Sequence, residues 1–484
     1  MGDRSDHCPH AGRSRAQRCV RRRRTCGRCR PAASRPAVSA TPQTSVAETE
    51  PSSADLCRYG AGSVGMGLWV TVPGLLLLYF LTQILGVPAF LAGLTLLLPK
   101  LLDVVVHPLL GSLSDRQARR SGHRRGMLYW GLLLAVAWVA LFTVPGGLTG
   151  TGAALWVGGC YVAGNLLFAC FQVPYLTTPS DLRIDYHERT RVFTFRMVFL
   201  MLGLLGAGVA APALVAAGGS AAYARMALLL AGVLVVSALL GLVGVRRLTE
   251  RSGIRLPDDH RHSVLADVRA AWRDREFRAL LLSYLCTNTT THLFLAGVPF
   301  YARYVLHDKS FTALMMGAFL VPATLAAPIW LRVSRRIGKQ RGLLLCQLAF
   351  LAGSLTLPVG GVAGPAVTAA VVVVMGAAFA GLQLLAFSML PDAVAAAEAR
   401  GAARAGAYTG VWTATEATGT AVGPYLYAAV LASAGFVSTT GDAVVAQSGT
   451  AHAALLLGFT VLPAGLMAVA WLFQRRYRLD PVAA

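Results

Sequence analysis

Apolar runs of about 20 residues recur along this chain, each long enough to cross about 30 Å of hydrocarbon as an α-helix. This repetition restricts the fold more than any other feature. Inside a bilayer every backbone N–H and C=O must be satisfied within the chain, which leaves only helices or closed barrels. A strand barrel shows short segments of alternating polarity, and these runs show none. They lie near 61–85, 88–112, 126–147, 150–178, 191–217 and 220–245, and again near 277–305, 311–333, 341–360, 365–390, 405–435 and 450–473. With 55% hydrophobic and 14% charged residues among 484, the chain is also too apolar to cover a soluble core. The expectation is an all-α integral membrane protein of about twelve transmembrane helices in two six-helix bundles.

A formal net charge of +22 is compatible with nucleic-acid binding, but its distribution points elsewhere. Arg116, Arg119, Arg120, Arg124 and Arg125 follow the second run; Arg332, Arg335, Arg336, Lys339 and Arg341 follow the eighth. Arg183, Arg189 and Arg191, the stretch from Arg246 to Arg278, Arg400 and Arg404, and Arg475, Arg476 and Arg478 fill the other alternate loops. The intervening loops hold little beyond Arg225, Arg303 and Lys309. By the positive-inside rule both termini and the central loop are cytoplasmic, and the protein is multi-pass in the cell membrane. Lipid and a small-molecule substrate are then the expected partners, nucleic acid is not, and a monomer is expected.

The chain divides into five parts. Residues 1–58 are an Arg-rich tail expected to be disordered, with no apolar stretch that suits a signal peptide. Its Cys26 and Cys29, with Cys8 and Cys19 upstream, form a pattern that can hold zinc if the flanks fold, although a dispensable tail is the plainer reading. Residues 59–245 form one bundle, 246–276 a charged cytoplasmic linker, 277–474 a second bundle and 475–484 a cytoplasmic tail. An internal echo supports duplication. Gly111-Ser-Leu-Ser-Asp115-Arg116, ending in Arg124-Arg125, follows the second run, and Trp330-Leu-Arg-Val-Ser-Arg335-Arg336-Ile-Gly338-Lys339 follows the eighth.

Ionisable groups are costly within a bilayer, so they define a candidate site. Lys100, Asp103 and His107 lie in the second run at offsets of three and seven, within roughly 60° on one helix face. Lys100 can neutralise Asp103; a coupling site for a proton or cation is one reading, and an ion pair locking two helices is the other. Asn165 and Gln172 supply a polar face in the fourth run, and Tyr284, Asn288, Thr291 and His292 one in the seventh. In the eleventh, Tyr408, Trp412, Glu416 and Thr420 repeat every four residues, placing an aromatic ring beside an acid. Such a set suits a polar solute with an apolar face, though each amide or hydroxyl alone serves equally as interhelical glue. In the loop after the second run, Gly111 permits close helix contact. Asp115 can sit at a helix N-terminus or pair with arginine across the two halves.

These residues resemble a known pattern. Lys100-Leu-Leu-Asp103-Val-Val-Val-His107-Pro108-Leu-Leu-Gly111-Ser-Leu-Ser-Asp115-Arg116, with Gly122-His-Arg124-Arg125, is similar to the signature of the glycoside-pentoside-hexuronide cation symporters, the melibiose permease-like branch of the major facilitator superfamily. Val173-Pro174-Tyr175, Asp181, His187-Glu188-Arg189-Thr190-Arg191 and Arg196 resemble its second signature. Met389-Leu-Pro-Asp392, Gly406 to Thr409 and Gly419 to Gly423 resemble the third. The likeness runs from Tyr59 to about Gly435. It implies alternating access between two bundles, with Asp103 as a cation-site acid, Arg196 at the solute, and Gly111, Asp115, Arg116, Glu188, Arg189 and Asp392 at a conformational gate. The chain departs from the family at His107 and Gln172, where acids are usual, at Gly67, acidic in sugar-transporting members, and beside Glu416, where a lysine is missing.

The expected function is secondary active transport of a small polar or amphipathic, sugar- or glycoside-like solute. Asp103 and His107 carry the coupling, and Gln172, Asn288, Trp412 and Glu416 line the solute site. With acids lost, a proton is expected as the coupling ion rather than sodium, and no cofactor is required. The alternatives are a proton-coupled exporter, a lysolipid-type symporter, or a membrane sensor or scaffold. An enzyme is not expected, since no nucleophile and base pair, metal cluster or phosphate-cradling loop is found.

Overall fold

The computed structural model describes residues 51–254, 269, 272–399, 405–441, 443 and 445–478. The cysteine-bearing tail with Cys8, Cys19, Cys26 and Cys29, most of the central linker, and Arg400 and Arg404 lie outside the described residues.

Each of the twelve apolar runs forms a helix. In order these are α1 (Ser53–Leu77), α2 (Ala89–Ser121), α3 (Arg125–Phe142), α4 (Gly150–Asp181), α5 (Tyr186–Val215) and α6 (Gly219–Ser252). Then come α7 (Arg275–Tyr304), α8 (Phe311–Leu325 with Ala327–Ile337), α9 (Lys339–Ala363), α10 (Pro365–Ala399), α11 (Ala405–Ser433) and α12 (Gly449–Gln474). The ends follow local chemistry. Asp274 accepts from the backbone N–H of Glu276 and Phe277 at 3.0 and 3.3 Å to cap α7, and Gly122, at φ 72°, closes α2 in a left-handed conformation. The eighth run, expected as one span, bends by 51°. Pro328 has no N–H to give the carbonyl one turn earlier, and its ring crowds that carbonyl. Beyond α1 the chain continues through a second π-turn, Phe80–Ile84, after the one at Pro73–Leu77.

Among the described residues, nine of these helices are long and apolar enough to cross a membrane, and the bent α8 is a tenth. The remaining two, α7 and α11, match them in length at 30 and 29 residues but are richer in threonine. In α7 the run from Thr287 to Thr291 is buried, because the helix packs on α11, α12, α10 and the end of α1. In the first half α1 lies between α5 and α6, and α4 lies on α2 and α3; in the second, α10 lies on α8 and α9, and α9 on α12. The halves meet where α2 touches α11 and α5 touches α8.

The α1–α5 crossing explains one departure from the expected pattern. A Cβ on Gly67 would stand 2.7 Å from the Leu204 backbone nitrogen, and one on Gly203 2.6 Å from the Val64 carbonyl oxygen. Gly67 is a point of backbone contact, not a place for an acid. Gly67→Asp is expected to cost at least about 2 kcal/mol through overpacking and an unpaired carboxylate. The check is a thermal melt in detergent, and an unchanged midpoint would refute the tight crossing.

Candidate functional site

Three polar constellations stand out, two within the helices and one at the end carrying the basic loops. On α2 the exposed residues Leu98, Leu101, Leu102, Val105 and Leu109 form one stripe, and the polar triad lies on a different face, against α4. The Lys100 ammonium donates to Asn165 Oδ1 at 2.9 Å and to Asp103 Oδ2 at 3.3 Å, and lies 5.5 Å from the centre of the Tyr161 ring. Trp69 Nε1 also donates to Asn165 Oδ1, at 3.2 Å, so two donors fix the orientation of that amide.

One turn along, His107 Nδ1 lies 2.9 Å from the Asp103 carbonyl oxygen, and Nε2 lies 3.1 Å from Gln172 Oε1. A carbonyl can only accept, so Nδ1 carries a proton. The far nitrogen is then an acceptor in neutral imidazole and a donor in imidazolium. Gln172 can serve both states by turning its amide end over, presenting NH2 to the one and oxygen to the other. Both His107 ring nitrogens are thus hydrogen-bonded in either amide orientation.

The second constellation joins α7 to α11. Asn288 Nδ2 donates to the Glu416 carbonyl oxygen at 2.6 Å and approaches Thr420 Oγ1 at 3.4 Å; His292 Nδ1 lies 3.0 Å from the Asn288 carbonyl oxygen. A Cβ on Gly423 would stand 2.6 Å from the Thr289 carbonyl oxygen, so this glycine sets the approach of the two helices. Tyr284 and Trp412 stack at 4.0 Å with Phe387 edge-on to both, and their rings are 2% and 1% exposed. Both were expected to line a solute cavity; here each covers the other's face, so neither is presented to a solute in this conformation. Asn165 Oδ1 and Asn288 Nδ2 are likewise taken up by interhelical hydrogen bonds, while Asn165 Nδ2 is buried without a partner among the described residues. Half-buried positions are kept by Lys100, His107, Gln172, Arg196, His292 and Glu416. Among the described residues the Glu416 carboxylate has no hydrogen-bond or ion-pair partner, and Arg196 Nε is buried without one.

At the basic end, Arg124 is the hub. Its Nε donates to Asp181 Oδ2 at 2.6 Å and its Nη1 to Ser114 Oγ at 3.1 Å and to Asp115. Burial depresses the Arg124 pKa, and the hydrogen bonds it donates to Asp181 and Asp115 outweigh that and hold it above the ordinary guanidinium value. Asp115 thus pairs within its own half, near the C-terminal end of α2, and not across the halves or at a helix N-terminus as expected. Gly111 corrects another expectation, for a Cβ there would meet nothing within 4 Å, and Arg116 is exposed on the same turn. Glu188 pairs with Arg191 at 3.4 Å, while Arg189 keeps a buried Nε without a partner. In the second half Lys339, at the start of α9, binds Asp392 of α10, as Arg124, just before α3, binds Asp181 of α4. The internal echo in the sequence therefore has a counterpart in two equivalent ion pairs.

Sequence reasoning missed a further polar cluster at the opposite end. Arg303 Nη1 donates to the Tyr79 hydroxyl at 2.6 Å and Nη2 to the Ala443 carbonyl oxygen at 3.0 Å, with the guanidinium over the rings of Tyr79 and Tyr304. Tyr304 donates to Gln83 Oε1 at 2.7 Å, and the Thr439 and Gly441 N–H groups donate to the Thr82 and Ile84 carbonyl oxygens at 2.8 and 3.0 Å. Close packing accompanies these bonds: a Cβ on Gly93 of α2 would stand 2.8 Å from Ala428 of α11, and one on Gly208 of α5 2.4 Å from Leu320 of α8. The only sequence signal was Arg303 itself, a cation in an otherwise charge-poor loop.

Comparison with known proteins places this geometry in context. The family described as MFS/sugar transport protein matches residues 58–481. A symporter of Synechocystis is 33% identical over 151 residues, which is 30% of this chain and 28% of that protein's length. The isoprimeverose transporter of Lactiplantibacillus pentosus is 25% identical over 419 residues, covering 84% of this chain and 85% of that one. Among solved structures, that of the nucleoside transporter NupG aligns with a TM-score of 0.60 at 14% identity, over 88% of this chain and all of the other. That likeness speaks for the fold alone.

Proposed function

This chain belongs to the MFS/sugar transport protein family, and on that premise we propose that it moves a sugar- or glycoside-like solute across the cell membrane by alternating access, coupled to protons. It is a multi-pass membrane transporter of the secondary type, not an enzyme. In this reading the bundles of residues 59–245 and 277–474 rock about the α2–α11 and α5–α8 contacts, and both termini face the cytoplasm. The cluster around Arg303 and the close packing of Gly93 and Gly208 then seal the outer end, which makes the conformation inward-facing. The solute meets Gln172, Arg196, His292 and Glu416, the half-buried groups that keep hydrogen-bonding capacity. Tyr284 and Trp412 stand behind them and become available only if α7 and α11 shift.

One observation carries the proposal: Lys100, Asp103 and His107 are turned from the exposed face of α2 toward a hydrogen-bonded partner helix, with both His107 ring nitrogens hydrogen-bonded. Isoprimeverose is the first solute to try, because a relative that spans most of this chain is an isoprimeverose transporter. In vesicles energised by an inward proton gradient, Asp103→Asn and His107→Ala are each expected to reduce gradient-driven uptake at least tenfold. Counterflow, which needs no gradient, is expected to survive in His107→Ala. Unchanged pH dependence in both variants would end the coupling reading.

A further inference from the structure

We propose that the Lys100 ammonium is a resident cation, seated where a soluble metal cation would otherwise bind, and that it makes this transporter indifferent to sodium. The inference rests on the coupling reading of α2, but its test requires no substrate and no transport, so the two fail separately.

The seat is complete around Lys100. A carboxylate, an amide oxygen and an aromatic face surround the ammonium: Asp103 Oδ2 at 3.3 Å, Asn165 Oδ1 at 2.9 Å and the Tyr161 ring centre at 5.5 Å. Asn165 is 1% exposed and held by Trp69, and Asp103 is 6% exposed, so the oxygens are fixed before any ion arrives. A lysine serving only as a helix-to-helix tie needs one partner. This one is enclosed by groups from α2 and α4 of the kinds that replace water around a monovalent cation.

Charge settles occupancy. Asp103 is the one carboxylate in the seat, and Lys100 already balances it. Adding a metal ion would leave a net positive charge inside the membrane-embedded bundle, at an expense of several kcal/mol. Shortening Lys100 to alanine removes the ammonium and leaves Asp103, the Asn165 oxygen and the Tyr161 ring facing a space of cation size. The buried carboxylate then lacks a counter-charge, and sodium is the commonest ion able to supply it.

The full-length protein in detergent is to be melted in sodium chloride and in choline chloride at matched ionic strength. Wild type is expected to show no sodium-specific shift. Lys100→Ala is expected to melt below wild type in choline and to gain roughly 2–5 °C in 100 mM sodium, because an ion that binds only the folded state raises its stability. Lys100→Met fills the space without charge and is expected to show no gain, and adding Asp103→Asn to Lys100→Ala is expected to abolish it. Lys100→Ser is run in parallel in case the alanine variant does not fold. A sodium-specific shift in wild type, or folded Ala and Ser variants indifferent to sodium, would overturn the proposal.

Discussion

Arg124→Ala is expected to destabilise the protein by about 3 kcal/mol, among the largest losses that any single charge substitution here should produce. The guanidinium side chain is 9% exposed and ties together three pieces of chain: Ser114 and Asp115 near the end of α2, the turn into α3, and Asp181 at the end of α4. Its removal leaves two carboxylates facing each other without a cation, and Asp181, 16% exposed, cannot turn fully to water. Asp115 is 42% exposed and can, so Asp115→Asn is expected to cost less than Asp181→Asn. Arg124→Lys keeps the charge but lacks the fork that reaches both acids, and should recover only part of the loss. The pH dependence follows from the sign of the shift. A cation whose folded pKa is raised contributes below its unfolded pKa and loses that contribution only as pH rises through the folded one, which for arginine lies beyond any working range. The Arg124 contribution should therefore stay constant across the working pH range. Thermal melts of the four variants at neutral pH give the order Arg124→Ala, Asp181→Asn, Asp115→Asn from most to least harmful, with Arg124→Lys between Arg124→Ala and wild type. A reversed order, or a fully stable alanine variant, would remove Arg124 from its place as the hub.

What the sequence made legible was what a bilayer enforces on single helices. Twelve helices could be counted because each must bring its own apolar length, and the stripe of Lys100, Asp103 and His107 could be placed because helical offsets fix which residues share a face. Partner choice was far less legible. Asp115 and an arginine were both visible, but several arginines lie within a turn or two, and only the fold selects Arg124 in the same half over one across the molecule. Trp412 beside Glu416 suggested a solute platform because a ring and an acid lie one turn apart. Nothing in the spacing reveals that Tyr284, on another helix, covers the ring. Gly67 shows the same limit: a missing acid is visible in the sequence, whereas the Leu204 backbone filling its place is not. The cluster opposite the basic loops left no signal but Arg303, since it joins Tyr79, Arg303 and Ala443 through a turn and a loop that have no periodicity.

That hidden cluster carries the second large effect. Arg303→Ala is expected to shift the protein toward its outward-open state by about 2 kcal/mol, close to a thirtyfold change in population. Among the described residues Arg303 donates to the Tyr79 hydroxyl and lies over the Tyr79 ring, which ties the second half to the chain beyond α1, while its bond to the Ala443 carbonyl and its place over Tyr304 lie within the second half. On the alternating-access reading the contacts with Tyr79 exist only while that end is closed. Deleting them therefore destabilises one state and not the other, which is the condition for shifting an equilibrium. The backbone bonds from Thr439 and Gly441 to Thr82 and Ile84 remain, so closure is weakened and not abolished. Tyr79→Phe removes one hydroxyl and keeps the ring under the guanidinium, so it should act in the same direction with a smaller effect. Arg303→Lys, unable to reach Tyr79 and Ala443 together, should fall between the two. A cysteine placed at Thr420, with the native cysteines replaced, reports the state through its alkylation by a membrane-impermeant reagent added outside right-side-out vesicles. The rate is expected to rise at least tenfold in Arg303→Ala and least in Tyr79→Phe. Equal rates in all variants would mean that the backbone bridge and the Gly93 and Gly208 contacts hold the outer end shut without help from Arg303.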